Sequence, residues 1–432
     1  MMVIGGIIGS GIFRNPQVVA QRVHTPGLTL GTWVLGGAIA LIGAFVYGEL
    51  GARFPRAGGG YVYIRDAYGT LPAFLYAWAL LLMVATGAIA AVAVTFANYF
   101  IALTGVAISP NILAGLAIVL LSAVNYLGVK PGAVTQNIFT VLKLAALVVV
   151  IGAGLAAAAH WLPAAPPEAS VVAAPKHAVL ALAAALVPVL FSYGGWQQTN
   201  YIAEEIIAPE RNLPRALVIG VIGVVIVYLL ANYTYLATLG AAGLAGSEAP
   251  AADAMGRLLG PAGRTFITAG IVVSTFGFLN LVILVSPRVY QAMAADGLFF
   301  PQLARLHPTY RTPAPAIIVQ CVWAVVLLGL GTYGALLDYV VFADWITFSA
   351  TASTLFVYRA RARRTGDTAT FLTPGYPVTP LLFIAAGIYV VIGSIASNPG
   401  NALKGTALLL AGVPVYLFWR SRTRRAAVAG AP

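Results

Sequence analysis

Long apolar runs separated by short polar clusters dominate the chain, and the runs have the length of membrane-crossing helices. A helix needs about 20 predominantly apolar residues to cross a bilayer, and about twelve such spans are legible. They fall at roughly 2–22, 30–52, 72–104, 111–128, 133–158, 178–206, 214–239, 263–295, 314–331, 333–357, 378–396 and 403–420. The pattern predicts an all-α membrane protein. Two of the spans are interrupted at their centres. The first reads Gly5-Gly6-Ile7-Ile8-Gly9-Ser10-Gly11-Ile12-Phe13, and the sixth reads Phe191-Ser192-Tyr193-Gly194-Gly195-Trp196-Gln197-Gln198. Backbone that leaves the helix at membrane depth survives only where protein buries it or where it lines a wet cavity. A matched pair of interrupted spans therefore points to a transporter whose binding site lies between two repeats.

The span order divides the chain into residues 1–159 and 178–357, joined by a Pro- and Ala-rich connection over 160–177. Each unit holds five spans and opens on a broken one. Five is odd, so the second unit enters from the opposite face, which is the inverted-repeat arrangement. Residues 358–432 add two further spans and a basic tail. Little residue identity links the halves, so the repeat rests on span count and break position.

Composition removes the soluble classes. Hydrophobic residues make up 60% of the 432 and charged residues 8%, against about 25% charged in a soluble domain. The net charge of +12 could suggest nucleic acid, but its distribution follows topology. An even span count puts both termini on one side. On that side fall seventeen of the 24 Lys and Arg residues, among them Arg53, Arg56, Arg65, Lys130, Arg211, Arg215, Arg288, Arg359 and the runs Arg361–Arg364 and Arg420–Arg425. The positive-inside rule makes it cytoplasmic. Arg14, Arg22, Lys176, Arg257, Arg264 and Lys404 lie opposite. The single cysteine, Cys321, sits within a span and has no partner for an internal disulfide, and no metal-spaced cluster occurs. No metal or cofactor is expected. The first span lacks the charged start of a signal peptide. Only eight residues precede Gly9, about 12 Å of helix, so the expectation is a start at an internal methionine or a trimmed chain.

The two breaks offer complementary chemistry. If the helix unwinds at Gly9-Ser10-Gly11, the half-helix from Ile12 presents free N–H groups and the positive end of a dipole, a site for a carboxylate. Phe191 and Ser192 end another half-helix, where carbonyls carry partial negative charge suited to an ammonium. Together they fit an α-amino acid, with Phe191 placed to act as a lid and Trp196, Gln197 and Gln198 available to the wall. Lys143 lies midway along the fifth span, a depth at which ionisable residues are functional candidates; it could carry a proton or act as a fixed cation. Asp344, in the tenth span, lines the wet pathway, pairs with a cation, or is merely a hydrogen-bonded helix residue. Asp338 is nearer the outer end. Glu204, Glu205 and Glu210 are expected to pair mainly with Arg211 and Arg215. Signatures of metalloproteases, serine hydrolases and nucleotide-binding enzymes are absent, and no repeated filter segment suggests a channel. With Asp344 the only acidic residue expected in the pocket, the reading favours small or neutral substrates.

Several of these stretches are similar to a known family. Gly9-Ser10-Gly11-Ile12-Phe13 resembles the first-span signature of the amino acid–polyamine–organocation superfamily. Phe54-Pro55-Arg56-Ala57-Gly58-Gly59-Gly60-Tyr61-Val62-Tyr63, Phe191-Ser192-Tyr193-Gly194-Gly195-Trp196, Ala203-Glu204-Glu205 and Asn212-Leu213-Pro214-Arg215-Ala216-Leu217 resemble its L-type amino acid transporter branch. The resemblance implies a leucine-transporter-like fold of five plus five inverted spans with two extra. It also implies sodium-independent amino acid transport across the cell membrane, commonly by exchange. Ile8, Gly9, Ser10 and Gly11 match the carboxylate loop, Phe191 the gating aromatic, and Ser192, Tyr193 and Gly194 the second unwound stretch. Gln197 and Asn280 match polar positions of the site. Lys143 matches a lysine that stands where related folds hold sodium; it is expected to bridge the first and eighth spans, donating to carbonyls near Gly6 and to Ser274 or Thr275. The outer connection Gly105–Pro110 lacks the cysteine by which eukaryotic members tether a glycoprotein partner, which implies a solitary, prokaryotic carrier with no disulfide-linked subunit. Proton-coupled symport and a transport-dead sensor with the same fold stay open as alternatives.

Overall fold

The computed structural model describes residues 1–162, 177–329, 333–366 and 368–428. Most of the connection between the two halves, with Lys176, lies outside the described residues, as do the side chains of Lys130, Asp338, Arg424 and Arg425. All regular structure among the described residues is helical. Among the described residues, nine helical segments are long and apolar enough to cross a membrane, two shorter apolar helices cover Pro110–Tyr126 and Ala314–Leu328, and a broken first segment covers Met2–Ile7 and Gly11–Val23. That makes twelve, in the order the apolar runs predict. The long spans are Pro26–Arg53, Thr70–Thr104, Val134–Ala158, Val179–Glu205, Pro209–Gly246, Pro250–Ala295, Val340–Thr365, Val378–Ala396 and Pro399–Arg422. They are counted below from the first to the twelfth.

Local chemistry sets the ends. Pro26 opens the second span at a position whose N–H no helix uses, and the Thr25 hydroxyl accepts the Leu28 N–H at 3.3 Å. Gly105, left-handed at φ 69°, closes the third. Outward-facing Leu116, Val148, Ile219, Ile388 and Leu417 remain exposed, an apolar surface that only lipid or another membrane protein would accept.

The spans are paired in a regular way. The first packs on the sixth, the second on the seventh, the third on the eighth and the fourth on the ninth, so these four pairs, five apart in sequence, are neighbours in space. The eighth also packs along the fifth. The two interrupted spans thus meet near the middle of the helix bundle.

Candidate functional site

Helix stops at Ile7 in the first span and resumes at Gly11, leaving Ile8, Gly9 and Ser10 outside it. A helix ending leaves its last carbonyls without partners. Here side chains from three other spans claim them. Lys143 Nζ donates to Gly5 O at 2.9 Å and to Ile8 O at 2.6 Å. Ser274 Oγ donates to Gly9 O at 3.2 Å. The Tyr228 hydroxyl lies 3.1 Å from Ile7 O and 3.2 Å from Ser192 O, so one phenol ties both breaks together. The carbonyl side of the first break is therefore occupied by protein side chains, with the Lys143 amine at its centre. The opposite side, where the half-helix Gly11–Val23 begins, presents its first N–H groups. Ser10 adds a buried hydroxyl with no hydrogen-bond partner.

The sixth span stops at Tyr193 and continues, after Gly194 and Gly195, as a 3₁₀ helix over Trp196–Glu205. Gly195 sits at φ 105° and packs against the Gly6 backbone, a conformation and an approach that a side chain would obstruct. Its N–H donates to Gln197 Oε1 at 2.9 Å. Phe191 O accepts the Gly194 N–H at 3.2 Å. Asn15 of the first span donates to Ser192 Oγ at 2.8 Å, which locks the two spans on the far side of the break.

A cavity opens beside the second break, between the third, sixth, eighth and tenth spans. Phe191, Gly194, Gly195, Gln197 and Gln198 line one wall, and Asp344, Trp345 and Phe348 face them. The third span contributes Leu80 and Val84 from a π turn over Leu80–Val84, a widened turn of a kind often found at functional sites. Ile8, Gly9, Ser10 and Gly11 do not reach this cavity. The Phe278 ring lines it and also lies against Gly9, where a Cβ would come within 2.9 Å of the ring. Phe278 thus stands between the first break and the cavity.

Several residues are placed differently from the sequence expectation. Gly11 faces the sixth span: a Cβ there would come within 2.7 Å of Ser192 Cα, so its smallness serves helix contact rather than ligand access. Tyr193 packs its ring among Trp33 and Tyr228 and does not line the cavity. Thr275 bonds back to Ile271 and Val272 of its own helix, so of the Ser274–Thr275 pair only Ser274 reaches the first span. Asn280 lies in a buried network, donating to Gly132 O at 3.1 Å and accepting from Asn125 at 3.0 Å, where it joins three helices away from the cavity. Glu205 pairs with Arg288 at 3.3 Å rather than with Arg211 or Arg215. Tyr228 and Phe278 were not anticipated; a tyrosine and a phenylalanine in apolar helices carry no signal of their own.

The model of the amino acid permease family matches residues 1–418. The chain is 31% identical over 442 residues to the human large neutral amino acids transporter small subunit 2, covering 98% of this chain and 80% of that protein. It is 32% identical over 434 residues to the mouse Asc-type amino acid transporter 1, covering 98% and 81%. Against the human b(0,+)-type amino acid transporter 1 it is 32% identical over 424 residues, covering 97% and 86%. The near-complete coverage, the two unwound spans and the amino acid permease match lead to one conclusion: the chain belongs to the amino acid permeases of the amino acid–polyamine–organocation superfamily, in the L-type transporter branch.

Proposed function

We propose that this protein exchanges amino acids across a cell membrane without sodium, by alternating access around the two breaks. The observation that carries the reading is Lys143. Its ammonium binds two carbonyls of the unwound first span, the kind of acceptors that would otherwise suit a metal cation. A fixed cation already satisfies them, so no co-transported ion is needed to order the first break. The N–H groups of Gly9, Ser10 and Gly11 then hold the substrate carboxylate, and second lone pairs on carbonyls around Phe191 and Ser192 hold its ammonium. Phe191 closes over the substrate.

The packing of spans five apart supports two inverted units, 1–159 and 178–357, that move against each other. Charge distribution supports cytoplasmic termini. One relative is named a small subunit; the lack of a cysteine in Gly105–Pro110 supports a carrier without a disulfide-linked partner here, and is the basis for reading it as prokaryotic.

Counterflow in proteoliposomes tests the reading. Labelled amino acid should accumulate only when the lumen holds unlabelled amino acid, and at the same rate when choline replaces sodium. Uptake into empty vesicles driven by an inward proton gradient would replace exchange with symport. No uptake under either condition would leave a sensor.

A further inference from the structure

The cavity beside the second break is walled mainly by apolar and aromatic side chains, with a few polar groups, Asp344, Gln197, Gln198, Tyr201 and Ser286, among them. Asp344 is the only charged side chain among its lining residues. Among the described residues it takes part in no ion pair, and the one hydrogen bond at this position goes to its backbone carbonyl from Thr347. The cations buried within the helices are engaged elsewhere: Lys143 on Gly5 and Ile8, and Arg288 on Glu205 and the Leu284 carbonyl. Gln198, also in the wall, has a buried Oε1 with no partner. Gln197 Oε1 already accepts the Gly195 N–H. Phe191, Trp345 and Phe348 surround these groups with aromatic surface.

An ionised carboxylate out of water is costly unless a cation or several donors meet it. Aromatic faces attract cations through their quadrupoles. A carboxylate and an unpaired amide oxygen inside an aromatic wall describe a receptor for a positively charged, donor-rich group.

We propose that Asp344 receives the cationic side chain of the transported amino acid, so that the carrier favours substrates ending in an ammonium or guanidinium. This rests on the exchange reading above. The substrate carboxylate stays at the first break, and the side chain extends past Phe278 towards the tenth span. The cavity thereby reverses the preference for neutral substrates that the sparse acidic residues suggest.

The test is paired counterflow of labelled arginine and labelled alanine, each against its unlabelled form, in one batch of proteoliposomes per variant. The wild-type should exchange arginine faster than alanine. Asp344→Asn should lower the arginine-to-alanine ratio at least about tenfold, as expected for loss of a charge-assisted contact, while Asp344→Glu keeps most of it. Because the two rates share one preparation, poor folding of a variant cancels from the ratio. A ratio that Asp344→Asn leaves unchanged overturns the proposal, as does a wild-type that exchanges alanine and excludes arginine. An Asp344→Asn carrier that loses only its response to pH would make Asp344 a proton site and overturn it too. Failure of both amino acids to exchange would instead sink the transport reading beneath it.

Discussion

Lys143 concentrates the mechanism in one side chain. Its ammonium is fully buried and spends two of its three donors on Gly5 and Ile8. Deleting a buried charge need not unfold a protein, since desolvating that charge offsets much of what it contributes. Lys143→Ala should therefore elute as a monodisperse protein yet lose at least about tenfold in counterflow, because hydrogen bonds from a charged donor contribute roughly 1.5–3 kcal/mol each. Wild-type counterflow in that variant would remove Lys143 from the cycle. The lysine was legible in the sequence because a charge midway along an apolar span has few bland explanations. Its partners were less so: the expected contact near Gly6 falls on Gly5 and Ile8, since carbonyl direction in an unwound stretch depends on how the chain turns. Gly11 gives a second test at this scale. A methyl group there would press on Ser192, and overpacking of this kind costs about 1–3 kcal/mol. Gly11→Ala should lower the melting temperature in detergent even without substrate, an effect that a role confined to ligand access would not produce.

Several departures from the α-helix lie beside or near the cavity. The first and sixth spans are unwound, Trp196–Glu205 winds as 3₁₀, and Leu80–Val84 forms a π turn. Glycine clusters announced the two unwound stretches, because there the backbone leaves the helix and Gly195 approaches the Gly6 backbone closely. Leu80-Leu81-Leu82-Met83-Val84 announced nothing. Those residues read as ordinary helix, and the wider turn is selected by packing against the spans around it. Phe191 lies in the last turn of the half-helix before the second break and lines the cavity. If it acts as the lid, Phe191→Ala should slow counterflow more than it weakens equilibrium binding, since occlusion is lost while polar contacts remain. Scintillation proximity binding beside flux measurements separates the two; much weaker binding with normal turnover would make Phe191 only a wall.

Across the whole molecule, the predicted cytoplasmic end is tied together by charge clusters whose long-range members, Arg359 on Glu49 and Asp296 on Arg65, no periodicity could reveal. Glu49, fully buried, accepts from Arg53 at 2.9 Å, Arg359 at 2.6 Å and the Thr373 N–H at 2.7 Å, joining the second span, the tenth and the loop that follows it. Arg65 and Tyr61 converge on Asp296, tying the connection after the second span to the end of the eighth. Span count and order were readable because the bilayer imposes one length on every crossing. Charge partners were not, as Glu205 on Arg288 illustrates, because they join elements far apart in sequence. Removing one member of a buried charge cluster costs about 3–5 kcal/mol. Glu49→Gln should lower the melting temperature sharply and raise the reactivity of cytoplasmic probes at the loop near Thr373; an unshifted melting curve would mean that the cluster holds nothing together.

The account turns on where the amino acid binds, and a cryo-electron microscopy map of the protein in lipid nanodiscs with saturating substrate answers this most directly. It should place the substrate carboxylate within hydrogen-bond distance of the N–H groups of Gly9, Ser10 and Gly11, with Phe278 turned aside and Lys143 still on Gly5 and Ile8. Substrate density lodged elsewhere, with the first break empty and Phe278 still against Gly9, would contradict it.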